Sequence, residues 1–124
     1  MTSTVRSLAP QTPIIEVVHA GDVSVTDIQH VATQALDLMT ATGDHLVLTD
    51  WTDATSIPGN IAIMSFGEAM DRATLPDGFR HAHVWPTDDS ARLSLDMWKT
   101  VENLHHHQAR AFGDRESAID WLTE

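Results

Sequence analysis

The sequence predicts a single α/β domain with a mostly parallel β-sheet. Short β-branched runs alternate with helical segments, four of each, along 124 residues. Consecutive parallel strands need a crossover of about a dozen residues, which a helix supplies. No linker, repeat or low-complexity tract divides the chain, so we expect one core. Residues 1–13, which contain Pro10 and Pro13, are predicted to form a loose arm or an edge strand, and residues 14–124 the domain.

The composition narrows the classes of partner. Seven Lys and Arg against eighteen Asp and Glu give a net charge of −11 at pH 7, a sign that repels the phosphates of nucleic acids and lipids. The absence of cysteine excludes disulfides, thiolate catalysis and cysteine-ligated metals. The sequence contains no run of about 20 apolar residues, the length that a membrane span requires. We therefore expect a cytoplasmic protein without a membrane span, a nucleic-acid partner or a cofactor.

The first strand and the first helix have clear local signals. The β-branched run from Ile14 to Val18 is typical of a buried strand. Ser24 precedes an apolar stripe at helical spacing, with Asp27 at the third helical position, and Gly43 follows it. Because these are residue types that begin and end helices, the pattern predicts a helix over 24–42.

The middle of the chain predicts two further strands. Residues 45–49 form a second strand, followed by a polar, turn-forming segment over 50–60. Residues 61–72 are compatible with a helix. The third strand spans 79–85, and its alternation places Phe79, His81, His83 and Trp85 on one side and Ala82 and Val84 on the other.

The last third of the chain predicts helix, strand and helix. The helix over 88–104 is apolar over an arc wider than one stripe, so it is deeply buried, lines a cavity or meets another subunit. The last alternative predicts a homodimer. A short strand over 108–112 precedes Asp114, which caps a helix whose buried side consists of Ala118, Ile119, Trp121 and Leu122.

Three segments together resemble one family: Gly21-Asp-Val-Ser-Val-Thr-Asp27, His45-Leu-Val-Leu-Thr-Asp-Trp51 and Ala111-Phe-Gly-Asp-Arg-Glu-Ser-Ala-Ile-Asp-Trp-Leu122. They are similar to the STAS-like superfamily, in particular to small standalone bacterial proteins related to anti-sigma-factor antagonists. These share their fold with CRAL-TRIO lipid-binding domains. The resemblance covers residues 14–122. It implies a sheet of four to five strands with helices mainly on one face and no catalytic centre.

The resemblance also implies a partner surface. Antagonists of this superfamily carry a phosphorylatable hydroxyl after the second strand and bind a kinase-like anti-sigma factor there. By position this site falls on 53–59, where Thr55 and Ser56 are the candidates, with Asp50 and Asp53 beside them. A phosphate at a helix N-terminus is favoured by free N–H groups and the helix dipole. The alternative interpretation is that these hydroxyls only cap a helix or close a turn.

Histidines and acidic residues provide weaker candidates for chemistry. Three consecutive histidines, 105–107, do not converge on one face and are better explained as a solvated helix end. His81 and His83 share a strand face but are expected to be neutral, hydrogen-bonded core residues rather than metal ligands. Asp50 and Asp53 could form a carboxylate pair at a strand end. No enzyme motif accompanies them, so we predict no catalytic residues.

A third set of residues predicts an apolar binding site. Soft apolar side chains from neighbouring elements could line a cavity for a lipid-like ligand between helix 61–72, helix 88–104 and the sheet. The alternative is a filled core with a dimer seam. The function predicted first is a non-enzymatic protein-interaction domain, and the second is a carrier or sensor of an apolar ligand. The candidates for lining the cavity are Met64, Phe66, Met70, Trp85, Met97 and Trp98, with Leu93 beside them.

Overall fold

The computed structural model describes residues 2–59, 75–104 and 108–124, which form a five-stranded sheet and three helices. The predicted helix over 61–72 and the histidines 105–107 lie outside the described residues. The strands are β1 Thr2–Ser7, β2 Ile14–Asp22, β3 Leu46–Ser56, β4 Arg80–Val84 and β5 Gln108–Phe112. The helices are α1 Val25–Thr42, α2 Asp89–Leu104 and α3 Arg115–Leu122.

The sheet has the order β1-β2-β3-β4-β5 and is mostly parallel, as predicted. β2, β3, β4 and β5 run parallel, and β1 pairs antiparallel with β2 at one edge. The N-terminal arm is thus an edge strand, one of the two predicted alternatives. Sequential parallel strands with crossovers of one hand place their connecting helices on the same face.

The helices cover both faces of the sheet. α1 and α2 pack on the face that presents Val17, Val47 and Trp51, and α3 packs on the opposite face through Ala118 and Leu122. The described part of the chain contains three helices rather than about four, two on one face and one on the other. α3 follows β5 and does not connect two of the described strands, so the crossover rule does not constrain its face.

Local capping sets the ends of α1, as the sequence predicts. The Ser24 hydroxyl accepts from the backbone N–H of Asp27 at 3.1 Å, and the Asp27 carboxylate accepts from the backbone N–H of Ser24 at 2.9 Å. These bonds stabilise the charged carboxylate and lower the pKa of Asp27. At the other end Gly43 adopts φ 79°, a conformation that favours glycine, and its N–H bonds to Met39.

β3 is longer than predicted. It continues to Ser56, whereas the sequence predicted a strand over 45–49 and a polar loop over 50–60. The pairing with β2 shifts register twice, opposite residues 18–20 and 21–22, and each shift adds an extra residue to β3. Such bulges break the alternation of apolar and polar residues by which a strand is recognised in a sequence.

The bulges also change which residues of β3 face the core. Trp51 and Ala54 of β3 and Ile57, directly after the strand, belong to one buried cluster, although they are three residues apart. In a regular strand, residues three apart point to opposite faces. The two extra residues keep this spacing on one face and extend the core beyond Thr49.

α2 is less deeply buried than its composition predicts. Ala91, Leu95 and Trp98 are buried against the sheet, but the side chains of Leu93 and Met97 are 74% and 42% exposed. The apolar arc therefore contains a buried stripe and a second, exposed one. Among the described helices, none combines the length and apolar composition needed to cross a membrane.

A buried carboxylate connects three elements on the α3 face. Glu16 of β2 is 2% exposed. One oxygen accepts from Arg6 Nε of β1 and the other from Arg115 Nε of α3, each at 2.7 Å. The two guanidinium groups balance the charge that burial would otherwise penalise, so this cluster joins the edge strand to the terminal helix.

Candidate functional site

A cavity of about 80 Å³ lies between α1, the sheet and the Trp98 side of α2. Most of its wall is apolar, and its polar groups come from the sheet. The described residues that line it are Val17, His19, Ile28, Val31, Ala32, Ala35, Leu36, Met39, Val47, Thr49, Trp51, Phe79, His81, His83 and Trp98.

Strand alternation places four ring side chains on this wall. His19 continues the buried face of β2 after Ile15 and Val17, and Trp51 continues that of β3. His81 and His83 share the same face of β4, as predicted. Adjacent parallel strands bring residues at neighbouring register positions side by side, so the rings meet in one cluster.

The rings are held by stacking and hydrogen bonds. His19 stacks on Trp51 with their centroids 4.3 Å apart, and the rings of His81 and His83 are 4.0 Å apart. The Thr49 hydroxyl lies 2.7 Å from His81 Nε2. His83 is a buried, hydrogen-bonded residue as predicted, whereas His81 is hydrogen-bonded but only partly buried.

The indole of Trp51 determines the protonation state of His83. Trp51 Nε1–H donates to His83 Nδ1 at 3.0 Å. An indole nitrogen only donates, so His83 Nδ1 carries a lone pair and the ring proton is on Nε2. This bond requires the neutral form of His83, because a charged imidazolium has a proton on both nitrogens.

His19 and His83 are both buried, each 2% exposed. Burial lowers the pKa of His19 from 6.5 to about 4. The nearby His83 and His81 lower it further and Asp27 opposes them, but removal of the ring from water is the largest effect. At neutral pH the cavity therefore contains an uncharged imidazole.

One nitrogen of His19 has no hydrogen-bond partner among residues 2–59, 75–104 and 108–124. Nδ1 lies 2.7 Å from the Ser3 hydroxyl, and the ring stacks on Trp51. Nε2 makes no hydrogen bond in this part of the chain, and His19 lines the cavity. This nitrogen is therefore available to a ligand or a water molecule that enters the cavity.

The cluster does not resemble a metal centre. Within the described residues, no group of three or more histidine, aspartate or glutamate side chains converges closely enough to hold a metal ion. His81 and His83 instead bond to Thr49 and Trp51. The arrangement is suited to binding an uncharged molecule by apolar contact, ring stacking and a hydrogen bond.

The predicted phosphorylation candidates are on β3 rather than on a loop. Thr55 and Ser56 are exposed at its end, and Asp53 is also exposed. Asp50 accepts a hydrogen bond from the backbone N–H of Thr52 at 2.9 Å, which closes a local turn. The proposed helix N-terminus beyond Ser56 falls in 60–74, outside the described residues. None of these four residues lines the cavity.

The structure separates the predicted apolar candidates. Trp98 lines the cavity and donates to the Pro58 carbonyl at 3.1 Å. Trp85 is not among the lining residues. The Arg92 guanidinium lies over its ring, with Cζ 4.4 Å from the centroid of the Trp85 ring. Met97 is partly exposed on α2. Met64, Phe66 and Met70 lie outside the described residues.

Two residues of the site, His19 and Trp51, were not among the predicted candidates. The predicted first strand stopped at Val18, and Trp51 fell in the predicted polar loop. For His19 the signal was present, because Ile15, Val17 and His19 alternate on one face. For Trp51, the bulges after it remove the continuing alternation that would have identified the strand.

No protein-family model matches the chain, and no curated protein matches it in sequence. Membership of the STAS-like superfamily therefore stays a prediction that rests on the three sequence segments.

Proposed function

We propose that the protein is a non-enzymatic binding module that holds an uncharged, largely apolar molecule between α1 and the sheet. The observation that carries this proposal is the cavity itself. It has a volume of about 80 Å³ and a largely apolar wall. A ligand that fills it recovers dispersion contacts and removes its own apolar surface from water.

The charges of the wall favour an uncharged ligand. The described lining contains no Lys, Arg, Asp or Glu. An ionised ligand would be buried without an opposite charge, which is strongly unfavourable. The low pKa of His19, about 4, means that this ring does not supply a positive charge at pH 7.

The test uses 1-butanol, with butyrate and butylammonium as charged counterparts. Trp51 and Trp98 are in the wall, so their fluorescence should report occupancy. We expect butanol to change it saturably and to raise Tm, since a ligand at 100 times its Kd stabilises the folded state by about 2.7 kcal/mol. The charged counterparts should bind at least about tenfold more weakly.

A matched pair of variants locates the binding. Ala35→Phe places a ring in the cavity and should abolish the butanol response. Ala41→Phe adds the same ring on the exposed side of α1 and should bind butanol as the unaltered chain does. Circular dichroism establishes that both variants fold. If butanol changes neither fluorescence nor Tm, or if both variants respond equally, the cavity is not a binding site.

We propose protein contact as a second function, because Thr55, Ser56 and Asp53 are exposed together at the end of β3. Phosphopeptide mass spectrometry of protein purified from its own cells should find phosphate on Thr55 or Ser56. Finding only unmodified peptides, with a bound partner unaffected by Thr55→Ala and Ser56→Ala, would exclude this surface. The homodimer stays a prediction, with the exposed Leu93 and Met97 of α2 as its candidate contacts.

A further inference from the structure

A second cavity, open to solvent, lies next to the first, and its lining includes the exposed Thr40 and Pro76. Its volume is about 210 Å³, and its described lining is Leu36, Met39, Thr40, Leu75 and Pro76. Leu36 and Met39 also line the first cavity, so the two cavities meet at these side chains. Methionine has an unbranched chain with three rotatable bonds, so Met39 is able to move aside and leave a passage.

The two cavities lie in line along α1. Ile28, near the start of the helix, packs beside Trp51, and Met39, near its end, packs in the cluster that contains Val47. The helix rises 1.5 Å per residue, so the wall between Ile28 and Met39 is about 16 Å long. The first cavity, at about 80 Å³, is smaller than the 150 Å³ void that admits benzene in another protein. A ligand larger than a few heavy atoms must therefore extend toward the second cavity.

The polar end of this path is His19. Its Nε2 has no hydrogen-bond partner in the described part of the chain, while Nδ1 is engaged by Ser3. Nε2 is a donor or an acceptor according to which way the Ser3 hydroxyl points, and a hydroxyl on the ligand satisfies either state. The other end is lined by the apolar side chains of Leu36, Met39, Leu75 and Pro76 and by the exposed Thr40.

We propose that both cavities hold one elongated ligand, an uncharged molecule with a single hydroxyl-type head group at His19 Nε2 and an unbranched apolar tail. The tail passes Leu36 and Met39 and ends beside Leu75 and Pro76. This inference rests on the proposed function and adds the shape, polarity and direction of the ligand.

A series of primary alcohols from butanol to decanol tests the tail. Each buried methylene should increase affinity about fourfold, which corresponds to about 0.8 kcal/mol per CH₂. The increase should continue through octanol because the second cavity accepts the end of the chain. If butanol binds but affinity stops rising at pentanol, the elongated ligand is wrong while the proposed function stands. If no alcohol binds, both are wrong.

Two tryptophan variants locate the passage. Met39→Trp should reduce octanol affinity to about that of butanol in the unaltered chain, because the larger ring blocks the tail at this position. Met97→Trp makes the same change on the exposed side of α2 and should leave the whole series unchanged. Equal octanol affinity in both variants would show that the tail does not pass Met39. The length series in the unaltered chain decides the matter if Met39→Trp does not fold.

The head group is tested with alkanes of matched length. The transfer free energies of octanol and octane from water predict a ratio of their affinities. In the unaltered chain octanol should exceed this predicted ratio about tenfold, because it also forms the hydrogen bond to His19 Nε2. His19→Phe keeps a ring beside Trp51 and should remove this preference, which is measured as the ratio of octanol affinity to octane affinity in the same variant. No such preference in the unaltered chain, or an undiminished one in His19→Phe, would exclude His19 as the anchor.

Discussion

The free energy of unfolding is expected to fall by about 3 kcal/mol between pH 6.5 and pH 4 because of His19 alone. The pKa of His19 is about 4 in the folded protein and 6.5 in its ordinary environment. As the pH falls through this window, the unfolded chain takes up a proton that the folded chain refuses, so stability is lost. Each unit of difference corresponds to about 1.4 kcal/mol, and the loss due to His19 levels off below pH 4.

Urea unfolding at a series of pH values measures this loss. Hydrogen bonds lower the pKa values of Asp27 and Asp114, so both carboxylates are already ionised in this window. Their contributions to stability are lost only in stronger acid. His19→Phe should flatten the stability profile between pH 6.5 and 4. His30→Gln, which changes an exposed histidine of α1, should leave it as in the unaltered chain. An equally steep profile in His19→Phe would show that the loss arises elsewhere.

Removing both arginines from Glu16 is expected to cost about 3–5 kcal/mol, because a buried carboxylate then lacks an opposite charge. Arg6 and Arg115 bind its two oxygens at 2.7 Å, and the carboxylate side chain is 3% exposed. The arginine side chains are 67% and 45% exposed. They can therefore be hydrated when the carboxylate is absent, whereas Glu16 cannot be hydrated without them.

This asymmetry gives a test by unfolding free energies. Arg6→Gln with Arg115→Gln should lose about 3–5 kcal/mol, and adding Glu16→Gln should restore at least half, since it removes the buried charge. Arg92→Gln, which removes an exposed guanidinium from α2, should cost less than about 1 kcal/mol. A triple variant no more stable than the double would show that the charge of Glu16 is not the source of the cost.

The elements that were predicted well are those whose signals lie within a few residues of one another. Ser24 and Asp27 cap α1, Gly43 ends it, and Asp114 accepts from the backbone N–H of Ser117 at the start of α3. The alternation of residues in β4 correctly predicted that His81 and His83 share one face of the strand. Each signal is a local hydrogen bond or a local repeat, so the residues themselves are sufficient to reveal it.

The candidate site was predicted only in part. Trp98 was a candidate, and the general idea of an apolar cavity under helices survives as a proposal. The cavity in the described residues, however, lies under α1 and not beside Trp85. Its polar end is His19, whose free nitrogen depends on Ser3 of a strand that only the sheet pairing brings close.

The sequence by itself determined the class of fold, the helix ends and the acidic surface, because caps, repeats and net charge are properties of neighbouring residues or of composition. Only the tertiary structure decided the bulges of β3, the pairing of Glu16 with Arg115 and the space between α1 and the sheet. Each of these depends on contacts between residues far apart in the chain. The packing of these residues fixes the register between strands and decides whether space is left between α1 and the sheet. No local sequence pattern encodes either outcome.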